Sequence, residues 1–184
     1  MYNINQDVAE ILLGEEEIAS LCDRIAAQIT EDYKKSNHPL VFIVILKGSI
    51  FFATDLIRRV PLPSSIEFMK VSSYGGGTET SGFIQVQLDL KGDITGADVI
   101  VIEDIIDSGR TLEKLSALLA DRGANSVKCC ALLDKPERRQ VDFCADYVGR
   151  TIPDKFVVGY GLDFDEKYRG LPYVGVLKPC VYEK

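Results

Sequence analysis

The sequence has no tryptophan, one histidine and no cysteine pair at metal-ligand spacing. His38 precedes Pro39 in a polar stretch, and the cysteines at 22, 129, 130, 144 and 180 include no Cys-x-x-Cys, so no zinc site is expected. They read as free thiols of a reducing compartment. No basic-then-apolar leader is visible at the start, and a cytoplasmic location is expected. With histidine so scarce, acid–base chemistry falls to carboxylates or lysines. No apolar run approaches the ~18 residues of a membrane span, so no membrane association is expected. Cations are also short: 21 Lys and Arg face 28 Asp and Glu, for a net charge of −7 and a pI of about 4.8. An acidic surface is a poor start for binding nucleic acid and favours a small-molecule enzyme whose few basic residues gather at one site. No internal repeat or low-complexity linker divides the 184 residues, a length of about one domain, and 46% hydrophobic residues suffice for one core.

What is present is concentrated at 99–112. Val99-Ile100-Val101-Ile102 is a β-branched run that reads as a parallel strand buried on both faces. Glu103 and Asp104 end it, and Ile105, Ile106, Asp107, Ser108, Gly109, Arg110 and Thr111 follow. Leu112, Leu115, Leu118 and Leu119 then recur at helical spacing. The turn 107–111 therefore joins a strand's C-terminal end to a helix N-terminus, where free N–H groups and the helix dipole favour a phosphate. Three carboxylates within five positions at a strand mouth repel one another and need hydroxyls or a divalent cation as partners. This stretch resembles the diphosphate-sugar signature of the type I phosphoribosyltransferases, and Glu-Asp-Ile-Ile-Asp-Ser-Gly is similar to their purine-salvage branch, the bacterial-type hypoxanthine and hypoxanthine-guanine enzymes.

The rest of the chain alternates strands and helices. A helix over 15–34 carries Ile18, Leu21, Cys22, Ile25 and Ile29 on one stripe, after a short segment at 8–13. Strands are expected at 40–46, 66–71, 83–90, 127–133, 147–152 and 156–162, with a helix at 50–59. Adjacent Cys129 and Cys130 should point to opposite faces of their strand. Residues 72–82, rich in Gly, Ser and Thr, read as the tip of a hairpin; the triple glycine is no Walker loop, because no Gly-Lys-Ser/Thr closes it. Lys47 and Lys135 each follow a strand end. On residues alone, Lys135 reads as a solvated lysine and Phe156 as a core aromatic.

A second segment, Phe156-Val157-Val158-Gly159-Tyr160 with Asp163 and Arg169-x-Leu171, matches the same family, and the likeness runs from about 40 to 176. It implies an α/β fold in a single domain: a mainly parallel twisted sheet with helices on both faces, a small hood from the N- and C-terminal segments and a flexible hairpin lid at about 72–82. It implies Mg²⁺-dependent transfer of phosphoribose from phosphoribosyl diphosphate to a 6-oxopurine. The implied cradle for the phosphoribosyl group is Glu103, Asp104, Asp107, Ser108, Gly109, Arg110 and Thr111. Diphosphate falls to Lys47, Gly48 and Arg169, with Ser73 and Tyr74 from the lid, and the family's Leu-Lys peptide, here 46–47, can be cis. Purine binding falls to Lys135, Phe156, Val157 and Asp163. Glu103, Asp104 and Asp163 are the metal candidates, and Asp107 is the candidate base for the purine ring proton. A homodimer or homotetramer is implied. The rivals are a xanthine-preferring enzyme and a non-catalytic regulator of the same fold, against which the acidity and the lack of spare length both count.

Overall fold

Residues 40–45 are six consecutive apolar side chains, four of them β-branched, and such a run can only be satisfied by burial on both faces. The computed structural model describes residues 4–73 and 84–183, and in it this run, β2 (Leu40–Ile45), is buried at every position. Its neighbours are β3 (Ser64–Ser73), β4 (Ile84–Leu88), β5 (Asp98–Ile106), β6 (Ser126–Asp134) and β7 (Tyr147–Thr151). They form one six-stranded sheet in the order β4-β3-β2-β5-β6-β7. All pairs are parallel except β3 with β4, which is antiparallel.

Period-two alternation splits the central strands between two cores. Phe42, Val44, Ile100, Ile102 and Cys130 face α1 (Glu15–Tyr33) and α2 (Ile50–Ile57). Val41, Ile43, Val99, Val101 and Cys129 face α3 (Arg110–Asp121), which contributes Leu112, Leu115 and Leu119. Helices thus cover both faces, and the adjacent cysteines point to opposite layers as expected.

A second, antiparallel sheet of three strands caps the first. It joins the two ends of the chain in the order β1-β9-β8, from β1 (Val8–Leu13), β8 (Val157–Val158) and β9 (Val174–Leu177), and a one-turn α4 (Pro179–Tyr182) follows. The expected seven-residue strand at 156–162 is corrected to two residues. Gly159, Tyr160 and Gly161 take φ of +95°, +49° and +104°, and three left-handed residues in a row cannot continue a strand. The expected segment at 8–13 is a full strand, and the helix expected at 50–59 stops at Ile57. The lid expected at 72–82 lies, from residue 74 on, outside the described residues, and so does Tyr74. Ser73 is described only as the last backbone position of β3.

Candidate active site

Parallel strands end together, and the segments that follow them gather above the sheet. The register pairs Val44 with Ile102, so the turn after β2 lies beside Glu103 and Asp104. It pairs Ile106 with Asp134, so Asp107 lies beside Lys135, whose N–H donates to the Ile106 carbonyl at 2.9 Å. A cleft of about 440 Å³ opens at this edge. Its walls include Lys47, Gly48, Glu103, Asp104, Asp107, Ser108, Gly109, Thr111, Asp163 and Arg169.

One wall is the start of α3. Gly109 sits at φ +79° and no side chain caps the helix, so its first amides have neither an intrahelical nor a side-chain acceptor. The turn is braced from behind: the Arg139 guanidinium donates to the Asp107 carbonyl at 2.5 Å, and Gln140 N–H to the Ser108 carbonyl at 3.0 Å. Ser108 and Thr111 add hydroxyls to the cleft wall, whereas Arg110, exposed on the first turn, is not part of it. The set of amides and hydroxyls suits a phosphate monoester.

The facing wall is a stack of backbone. The Leu46–Lys47 peptide is cis. A Cβ at Gly48 would lie 1.5 Å from Asp104 Oδ2, and a Cβ at Gly161 would lie 1.8 Å from the Gly48 carbonyl oxygen. Three segments therefore approach as closely as peptide allows, and both glycines are demanded by that contact.

Glu103 and Asp104 form the floor. Glu103 accepts from Asp104 N–H at 3.1 Å and Asp104 from Ile105 N–H at 2.7 Å. Burial pushes the Glu103 carboxyl well above its ordinary range, and the neighbouring Asp104 charge adds to the shift. Burial also raises Asp104, against its hydrogen bonds with Glu103 and Ile105 and the pull of Arg169. A cation between the two would relieve both. Across from them Arg169 donates to the Gly161 carbonyl at 2.7 Å and pairs with Asp163 Oδ1 at 2.9 Å and Glu166 Oε2 at 3.3 Å. Asp163 Oδ2 accepts the Glu166 N–H at 2.9 Å. Lys47 Nζ reaches both Glu166 oxygens, at 3.0 and 3.1 Å. These bonds, from Lys47 and then Arg169, hold the Glu166 carboxyl below its ordinary range.

The purine-side candidates are split: Asp163 is in the cleft wall beside Arg169, whereas Lys135, Phe156 and Val157 lie outside it, Lys135 standing next to the wall residue Asp107. Lys135 is only 6% exposed, which corrects the solvated reading of that residue. Its ammonium stands 3.8 Å from Asp107 Oδ1 and 3.6 Å from Asp154 Oδ1, beyond hydrogen-bond length. Arg138 reaches Asp107 at 4.0 Å and Asp154 at 3.2 Å. Phe156 is 38% exposed, so it is not a core aromatic. Its ring stacks on Tyr182 at 4.8 Å and meets Phe164 edge-on at 5.6 Å. Val157 is buried in β8 beside it.

Sequence reasoning missed Glu166, Asp154 and Gly161. Asp154 reads only as a turn residue after Pro153. Glu166 is one of several charges in 163–169, and its direction is set by a left-handed φ of +59° that no pattern announces.

The phosphoribosyl transferase domain family matches residues 9–165. The hypoxanthine-guanine phosphoribosyltransferase of Staphylococcus epidermidis is 51% identical over 181 residues, which cover 98% of this chain and all of that one. A crystal structure of a hypoxanthine phosphoribosyltransferase from Staphylococcus aureus aligns with a TM-score of 0.93 at 51% identity, over 98% of this chain and 97% of its own. A Trypanosoma cruzi hypoxanthine phosphoribosyltransferase variant, solved in a ternary complex with substrates, aligns with a TM-score of 0.91 at 42% identity, over 96% and 99%. An uncapped helix N-terminus, an acid pair and two facing cations stand where the strands end, and the family match spans most of the length: the chain belongs to the phosphoribosyl transferase domain family.

Proposed function

We propose that the protein transfers the 5-phosphoribosyl group from phosphoribosyl diphosphate to hypoxanthine, and to guanine, releasing diphosphate in purine salvage. The observation that carries this reading is the convergence, in one cleft, of the uncapped α3 N-terminus, the Glu103–Asp104 pair, and the Lys47 and Arg169 cations. The α3 amides with Ser108 and Thr111 take the 5′-phosphate. Glu103 and Asp104 accept the ribose hydroxyls. Lys47, Arg169 and the Gly48 amide meet the charge that grows on diphosphate as the glycosidic bond breaks.

Mg²⁺ fits this donor set. Among the described residues no three His, Cys, Asp or Glu side chains form a cage, but Mg²⁺ is held by one or two carboxylates with water and substrate oxygens. Glu103 and Asp104 are crowded acids with no basic side chain in ion-pair range among the described residues. Asp163 is already shared with Arg169 and serves as a second candidate. When bound, the ion would neutralise diphosphate charge.

On the purine side, Asp107 is placed to take the ring N–H proton, and the half-exposed Phe156 ring, backed by Tyr182, offers a stacking platform. The Lys135 ammonium carries only donors, and among the described residues it has no acceptor at hydrogen-bond distance. A 6-oxo group would supply that acceptor; the 6-amino group of adenine would present another donor. An unpaired buried polar group costs about 1–3 kcal/mol, which is about 5- to 150-fold, and an unpaired buried charge costs more, so adenine should be rejected by ~10²-fold or better. Free buried thiols fit the cytoplasm, where we place the protein. We also read it as a homo-oligomer, through the apolar face of α2 and β3. The test is a coupled assay with phosphoribosyl diphosphate, Mg²⁺ and each of hypoxanthine, guanine, xanthine and adenine. Turnover of hypoxanthine and guanine with essentially none of adenine is expected, and efficient use of adenine refutes the assignment.

A further inference from the structure

Glu166 is not in the cleft wall itself, but it holds two cations that are, Lys47 and Arg169. Its carboxylate bridges Lys47 Nζ, at 3.0 Å, and Arg169 Nη2, at 3.3 Å, the two side-chain cations assigned above to diphosphate. The two ends of this bridge are unequal. Arg169 is also held by the Gly161 carbonyl and by Asp163, so it keeps its place without Glu166. Lys47 has no other acidic partner among the described residues. Glu166 is itself lightly anchored. Its side chain is 65% exposed, and only its backbone N–H is fixed, on Asp163. A rotamer change is enough to take the carboxylate into solvent and clear both cations, with no movement of the 163–169 loop.

We propose that Glu166 is a built-in competitor of diphosphate: it holds Lys47 in place in the free protein, yields Lys47 and Arg169 to the incoming diphosphate group, and reclaims them as the product diphosphate leaves. This rests on the phosphoribosyl transfer proposed above and adds a residue that governs how tightly diphosphate is held. A tetravalent anion with its cation outbids one carboxylate, yet the competition lowers its net affinity and shortens its stay.

The experiment is titration of wild-type and Glu166→Gln protein with inorganic diphosphate and Mg²⁺ by calorimetry, followed by steady-state kinetics. Exposed ion pairs are each worth up to about fivefold, so loss of two predicts diphosphate bound about 3- to 10-fold tighter by Glu166→Gln. KM for phosphoribosyl diphosphate and the inhibition constant of diphosphate should fall in parallel, and kcat should fall if product release limits turnover. Glu166→Gly, which the left-handed backbone accepts, should act in the same direction. In a Lys47→Met background the gain should shrink to that from Arg169 alone, a coupling that a merely structural glutamate would not show. Unchanged or weaker diphosphate binding by both Glu166 variants, with unaltered melting temperatures, overturns the proposal. Failure of the wild-type protein to bind diphosphate at all would instead overturn the phosphoribosyl-transfer reading.

Discussion

Asp107 sits where three demands meet. Its backbone carbonyl is pinned by Arg139, its side chain lines the cleft, and its carboxylate faces the Lys135 ammonium at 3.8 Å. No histidine competes for the role of base, since His38 bonds to the Gly96 carbonyl elsewhere in the fold. Asp107→Asn keeps the shape and most of the packing while removing the ability to accept a proton. Loss of a positioned general base costs ~10²–10⁴ in rate, so kcat should fall by that order with diphosphate-sugar binding little changed. Stopped-flow single-turnover measurement checks it, and an unaltered chemical step removes Asp107 from the role. The carboxylate was legible in the sequence because three acids crowd one strand mouth. The state of Lys135 was not. A lysine after a strand is ordinarily solvated, and only the register of β5 against β6, with Asp107 and Asp154 arriving from two other segments, explains a buried one.

At the scale of elements, the site is built from turns rather than from the strands that carry them. Gly161 presses on the Gly48 carbonyl and Gly48 on Asp104, while Tyr160 between the two loops donates to Asp55 of α2 at 2.7 Å. Gly161→Ala must open this stack, and the methyl would also sit on a residue at φ +104°. Backbone held in such a region costs about 1–3 kcal/mol for a residue with a side chain. The variant should melt several degrees lower and show a raised KM for phosphoribosyl diphosphate more than a lowered affinity for purine. Equal increases in both Michaelis constants would mean that the stack is scaffolding only. The regular elements were readable because burial on both faces writes continuous apolar runs at β2 and β5, and leucine spacing marks α3. Period two also placed Cys129 and Cys130 in separate cores, where burial pushes the Cys129 thiol up to about 11 and keeps it unreactive near neutrality. The break at 159–161 was not readable in the same way. Phe156-Val157-Val158 has strand chemistry, and of the two glycines that end it Gly159 is pressed against the Tyr173 carbonyl and Gly161 against the Gly48 turn, over a hundred residues away.

The whole molecule carries a charge of −7, so two copies repel over most of their surface. The face formed by α2 and β3 is different. Ile50, Ile66 and Phe68 are 43%, 47% and 43% exposed there. The shallow groove between the two elements, about 230 Å³, is lined by Val44, Ile57, Arg58 and other residues, none of them acidic. A contiguous apolar patch on an otherwise acidic protein is where a second copy would dock. The consequence reaches the cleft. Helix α2 starts directly after the Lys47-Gly48 turn, with Ala53 N–H bonded to the Ser49 carbonyl and the buried Ser49 hydroxyl to the Ile45 carbonyl. A partner that covers α2 therefore stiffens the turn that faces diphosphate. Phe68→Glu places a charge in the patch without touching any cleft residue. Sedimentation should shift from an oligomer to a monomer, and the melting temperature should lose its dependence on protein concentration. The KM for phosphoribosyl diphosphate should rise several-fold while preference among purines stays as it was. A wild-type protein that sediments as a monomer at assay concentration, or a Phe68→Glu variant that keeps its oligomeric mass, would move the interface elsewhere and leave the turn to support itself.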